Sequence, residues 1–288
     1  MADFSNYELG MNVHELADGL LPEMAAATGF NLAPEPSVEN LEAFIKHIGP
    51  VKTLQDNISL AQERLGRTDN AVTIAADWVD RSGVLEPAHR NFADTGVIMP
   101  RTFDNAFITG GVARWMLRRT EHLEELVASG IRIGRVDLPL GQKQMGEGEH
   151  DFVKEYAATN GNLPTQVQFG VAYLVPRFMN AGLTVELLAS DSEDGDTIMQ
   201  EYAETADYID GLVLAVGNAP SAIQTAGQFR VAAREYNSGF DTDARQLFVS
   251  SDTISVAREG EPPATHQNPY SALGQIVRNA LFLQKNAQ

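Results

Sequence analysis

The residues of this sequence best suited to chemistry lie in polar turns that each follow an apolar run. The first is in residues 105–119 (NAFITGGVARWMLRR), where Ala106, Phe107 and Ile108 reach Gly110-Gly111 and an amphipathic segment begins at Val112. That grammar describes a buried parallel strand, a tight turn and a helix whose N-terminus faces the turn. Amides crowd such a turn and the helix dipole adds partial positive charge, which favours an anionic ligand group. The two glycines let a ligand approach the backbone closely. The same pattern also serves plain packing.

Residues 140–149 form a second glycine-punctuated turn, with Gly141 at its start and Glu149 opening the helix after it. The Glu149 carboxylate suits either a ribose hydroxyl or general-base work, and equally a first-turn balance of the helix dipole. In residues 190–197 (SDSEDGDT), Asp194, Asp196 and Thr197 are site candidates, with helix capping the competing role for Asp196 or Thr197. The turn 217–221 (GNAPS) offers Asn218 and Ser221, and Ser221 can cap the helix after Pro220 while presenting its hydroxyl. Arg114, Arg118, Arg119 and Arg230 stand out in so acidic a chain, because an arginine facing these turns would hold a phosphate or carboxylate. For Arg118 and Arg119 a salt bridge to Glu121, Glu124 or Glu125 is the expected role. The expected ligand contacts are therefore Gly110, Gly111, Arg114, Gly141, Glu149, Asp196, Thr197, Asn218 and Ser221, with Glu149 and Asp196 as candidate bases.

These groups converge only if the apolar runs are strands of one parallel sheet, whose ligands sit beyond the strands' carboxyl ends. From Thr102 onward the sequence does alternate strand and helix patterns. Strands are expected at 106–108, 131–138 (IRIGRVDL), 183–188 (LTVELL), 211–216 (GLVLAV) and 246–250 (QLFVS). Helices are expected to follow Val112, to run from Glu149 to about Ala158, to start at Pro164 and close at Asn180-Ala181-Gly182, and to begin near Thr197, after Pro220 and at Ser271. Residues 1–100 read as mostly helical: 11–27 stopped by Thr28-Gly29, a helix capped by Ser37 and holding Leu41, Phe44, Ile45 and Ile48, then 53–65, and 71–79, whose pattern suits a helix or a strand and favours the helix. The expected fold class is α/β, a Rossmann-like mostly parallel sheet of about five strands with helices on both faces, plus a helical N-terminal region. The expected domains are a helical region 1–100, a core 101–260, and a loop and helix 261–288 packing back on that core.

Composition narrows the chemistry. A formal net charge of -18 over 288 residues repels polyanions, so no nucleic-acid partner is expected. Without cysteine there is no disulfide, thiolate nucleophile or Cys-based zinc site. His14, His47 and His89 lack carboxylates at metal-ligand spacing, and His150 has acidic neighbours that point apart on a helix, so no metal is expected. Nucleophile-elbow, P-loop, HExxH and full G-x-G-x-x-G motifs are absent. The first residues are acidic and no apolar run approaches a membrane span, so a soluble cytoplasmic protein without a membrane partner is expected.

Taken in order, the turns FITGGVARW, LPLGQKQMGEGEHDFV, VELLASDSEDGDT and LVLAVGNAPSAIQTAGQFRVAAR resemble the YdcF/SanA/ElyC-like family, and the YdcF branch most closely. The resemblance covers about residues 102–236. It implies a Rossmann-like fold and, from the YdcF branch, binding of a nucleotide-like ligand such as S-adenosylmethionine. This sequence has Leu140-Gly141 where the family's second strand commonly ends in Ser-Gly-Gly, and it lacks the family's His after the fourth strand. The leading expectation is a small-molecule binder at the strand-end rim. A hydrolase or transferase using Glu149 or Asp196 on a phosphate- or sugar-bearing metabolite is the second. A non-enzymatic interaction protein using the N-terminal helices is the third.

Overall fold

The structure, a computed structural model, describes residues 19–48, 54–67, 69–84, 100–146, 149–205, 211–218, 221–236, 247–252 and 269–287. The chain forms two compact units. One comprises Val97–Asn218 and Gln228–Asp252, and the other Asp3–Gly96, Ala219–Gly227 and Thr253–Gln288.

The first unit is α/β. Its strands β1 (Thr102–Ile108), β2 (Arg132–Leu140), β3 (Val185–Ala189), β4 (Val213–Asn218) and β5 (Leu247–Asp252) lie in the order β3-β2-β1-β4-β5. Every neighbouring pair is parallel. The order is compatible with a Rossmann-like sheet, and its direction of progression reverses between β1 and β4. β1 ends at Ile108 opposite Val216, while β4 runs on through Asn218. The carboxyl end of β4 thus reaches beyond that of β1.

Near-continuous apolar runs explain why these strands are interior. Ala106, Phe107 and Ile108 are fully buried, as are Val213, Leu214 and Val216, as befits parallel strands covered on both faces. Helix α5 (Ala113–Ala128) packs on β1, β4 and β5. Helices α6 (Asp151–Asn160) and α7 (Gln166–Phe169), a π-helical turn at Gly170–Leu174 and α8 (Val175–Asn180) follow β2. A Cβ at Gly170 would fall on the Leu140 and Leu187 side chains, so glycine there lets the helix lie close on β2 and β3. On the other face, Tyr202 of α9 (Gly195–Glu204) and Phe229 of α10 (Ala222–Tyr236) pack their rings on Phe107, at 5.5 and 5.0 Å.

The second unit is helical, with α1 (Leu21–Thr28), α2 (Val38–Ile48), α3 (Leu54–Leu65), α4 (Asp69–Ser82) and α11 (Pro269–Ala287). Gly29 ends α1 in a left-handed conformation at φ 73°. Ser37 accepts from the Asn40 amide at 3.3 Å at the head of α2. Trp78 Nε1 donates to Glu23 at 2.9 Å and Arg81 pairs with the same carboxylate at 2.7 Å. These contacts, Trp78 first, hold the Glu23 carboxyl below the usual carboxylate range. The terminal helix α11 packs on α2, α3 and α4. Its Leu273, Ile276 and Val277 are buried, and so are Leu41, Phe44 and Ile48 of α2; two apolar stripes of this kind are buried by packing together. Among the described residues no helix is long and apolar enough to cross a membrane.

Candidate functional site

The turn after β1 (residues 109–112) is held from below by one side chain. Arg119 Nη1 donates to the Thr109 carbonyl at 2.7 Å, the Thr109 hydroxyl at 2.9 Å and the Gly110 carbonyl at 3.0 Å. Its Nε donates to Asn218 Oδ1 at 2.8 Å, tying the β1 turn to the end of β4. Arg119 takes this position because it shares the buried stripe of α5 with Met116 and Leu123. The salt bridge expected for it is not formed. Glu124 instead pairs with Arg177, at 2.8 and 2.6 Å, since a residue on the buried stripe faces away from the acidic surface of its helix.

The other side of the turn is occupied by the protein itself. Gln166 Nε2 donates to the Gly111 carbonyl at 3.0 Å, and a Cβ at Gly110 would fall on the Gln166 amide. Glu149 Oε2 accepts from the Ala113 amide and Oε1 from the Gly146 amide, both at 2.7 Å. Glu149 therefore gives the first turn of α5 the negative charge that a helix N-terminus favours. At Gly111 there is room: a Cβ there would stand 3.7 Å from both Nη1 and Nη2 of Arg119.

The second and third turns interlock. Gly141 packs against the Ser192 carbonyl and Ile198, and the Gln142 amide donates to Ser192 at 2.8 Å. Ser190 Oγ accepts from the Ser192 amide, Ser192 Oγ from the Asp194 amide, and Asp194 Oδ2 from the Thr197 amide. Asp194 is thus the cap of α9, and the Thr197 hydroxyl donates to it at 3.1 Å. Asp196 is exposed and accepts from Gln228 at 2.6 Å. Arg114 is half-buried in the first turn of α5. Ser221 belongs to the helical unit and is half-buried there. The structure therefore gathers Gly110, Gly111, Glu149 and Asn218 around the β1 turn, and Gly141 and Thr197 around the loop that begins α9.

Arg119 and Asn218 dominate the electrostatics. Arg119 is 3% exposed and its hydrogen-bond partners are all neutral. Burial alone pushes its guanidinium down to about 10. Asn218 is 1% exposed, and its Nδ2 has no hydrogen-bond partner among the described residues. Elsewhere in the sheet a buried acid is fully answered. Asp137 of β2 is paired with Arg135 at 2.6 Å and accepts from Asn105 at 2.9 Å and the Tyr202 hydroxyl at 2.8 Å. Tyr202 is pushed up by its burial and by that carboxylate.

The sequence reading missed Asp137, although a carboxylate inside IRIGRVDL needs a partner and Arg135, two residues earlier, lies on the same strand face. Gln166 carries no comparable local signal. His150 caps α6, its Nδ1 accepting from the Phe152 amide at 3.1 Å, and its ring lies 5.3 Å from that of Tyr173. Among the described residues no group of three His, Cys, Asp or Glu is placed to hold a metal ion. No protein-family model, curated protein or solved structure matches this chain.

Proposed function

We propose that the sheet unit binds a small anionic, nucleotide-like ligand at the carboxyl ends of β1 and β4, with S-adenosylmethionine one candidate. The observation that carries this reading is Arg119, a buried guanidinium whose hydrogen-bond partners are all neutral. It lies where the strand order reverses, the place at which open parallel sheets take their ligands. An anion there offsets the cost of a buried, unneutralised charge. The strand order, compatible with a Rossmann-like sheet, and the resemblance of the loop order to the YdcF branch support the same reading.

The alternatives draw less support. Both oxygens of Glu149 are engaged by backbone amides, which leaves it poorly placed as a base. In the helical unit Val72 is the one exposed large hydrophobic side chain among the described residues, so no broad apolar docking face favours the interaction-protein reading.

A thermal-shift series with ATP, S-adenosylmethionine and ADP-ribose tests the proposal. A ligand at a hundred times its Kd adds about 2.7 kcal/mol of stability, a readily measured rise in Tm. No rise with any of these compounds would contradict the reading.

A further inference from the structure

We infer that Asn218 and Arg119 together bind the oxyanion of the ligand, a carboxylate or phosphoryl group, and that Asn218 is the residue that selects for it. The inference rests on the binding reading above and sharpens it to two side chains.

Two separate anomalies meet at this point. Arg119 is a buried cation that no carboxylate answers among the described residues. Asn218, bonded to it through Oδ1, keeps a buried amide group whose Nδ2 has no acceptor. Buried donors are nearly always satisfied, so each exception calls for an explanation. One oxyanion bound by both side chains removes both anomalies, since it neutralises the guanidinium and accepts from Nδ2.

The residue type matters as much as the vacancy. An aspartate at 218 would neutralise Arg119 permanently. Asparagine keeps the acceptor that orients Arg119 and adds a donor, so the pair offers hydrogen-bond donors and net positive charge to an incoming acceptor. Glu149, which bonds the same turn, is already committed to the Ala113 and Gly146 amides. Nδ2 is shut off from solvent. Gly111 leaves the approach to Nη1 and Nη2 free of a side chain.

The test is calorimetric titration and melting of the full chain with sodium phosphate and with sodium acetate, in wild type and in Asn218→Asp. The wild type is expected to bind at least one of the anions, and the stronger of the two identifies a phosphoryl or a carboxylate ligand. Asn218→Asp is expected to lose that binding and to melt higher without ligand, because the new carboxylate pairs with Arg119. Should Asn218→Asp fail to fold, Asn218→Ser is expected to weaken the binding about tenfold, the loss of one hydrogen bond to a charged group. Equal anion binding in wild type and variant overturns the role of Asn218 while leaving the rim as a ligand site. No binding by the wild type of phosphate, acetate or the nucleotides above overturns both.

Discussion

Two buried charges in one sheet have opposite surroundings. Asp137 sits mid-strand on β2 with Arg135, Asn105 and Tyr202 spent on its carboxylate. Arg119 sits at the strand ends with carbonyls, a hydroxyl and an amide oxygen for partners. The first is a closed network that helps fix β1, β2 and α9 in place. The second stabilises a turn but leaves its own charge unanswered. A buried charge that the fold neutralises is structural, and one left positive at the strand ends is what the proposed anion site would use.

The largest expected difference between the two comes from removing the acid. Asp137→Ala leaves Arg135 its Glu186 partner but removes the carboxylate to which Asn105 and Tyr202 donate, and is expected to destabilise by about 3–5 kcal/mol, the range for breaking a buried pair. Urea unfolding checks this, and a loss below about 1 kcal/mol would show that the network is not structural.

Glycines give the next contrast. Gly141→Ala drives a Cβ into the Ser192 backbone carbonyl, whereas Gly110→Ala meets only the end of the Gln166 side chain. The first should cost about 1–3 kcal/mol and the second less, because a side-chain amide can swing away and a backbone cannot. Reversal of that ranking in thermal melts would mean that the loop 190–197 yields more readily than Gln166.

Glu149→Gln keeps the shape of the carboxylate but removes its charge from the head of α5. A loss of about 1 kcal/mol is expected, and a neutral outcome would discount the dipole role.

The smallest effect within an accessible range is on pH. Burial lowers the Arg119 guanidinium in the fold from its ordinary value to about 10, so the unfolded chain holds its proton more tightly. The stability tied to its neutral form is complete above the unfolded value and is lost as pH falls through about 10. Wild type should therefore gain on Arg119→Met between pH 9 and pH 10.5, measured by urea unfolding, and a difference that stays flat would contradict the burial cost.

How far the sequence could be read follows from the range of each interaction. Glycine stops and caps are local, so the ends of helices at Gly29 and Gly182 and the cap at Ser37 were legible. The apolar runs likewise marked the strands, although Leu140 and Asn218 belong to strands that run further than their patterns suggested. The role of Arg119 was not legible. Its neighbours Glu121, Glu124 and Glu125 invite a salt bridge, and only packing shows that its side chain joins the buried stripe and meets Asn218, 99 positions along. Gln166 filling the space at Gly110, and Glu149 reaching the head of α5, are also long-range outcomes of how the sheet is assembled. The loop at 147–148 and the turn at 219–220 lie outside the described residues.

The decisive observation is the side-chain nitrogen resonance of Arg119, followed by NMR in isotopically labelled protein during a phosphate titration. A saturable shift in wild type, absent in Asn218→Asp, is the expected result. A resonance that does not move in folded wild type up to saturating phosphate and acetate would contradict an oxyanion site at the ends of β1 and β4.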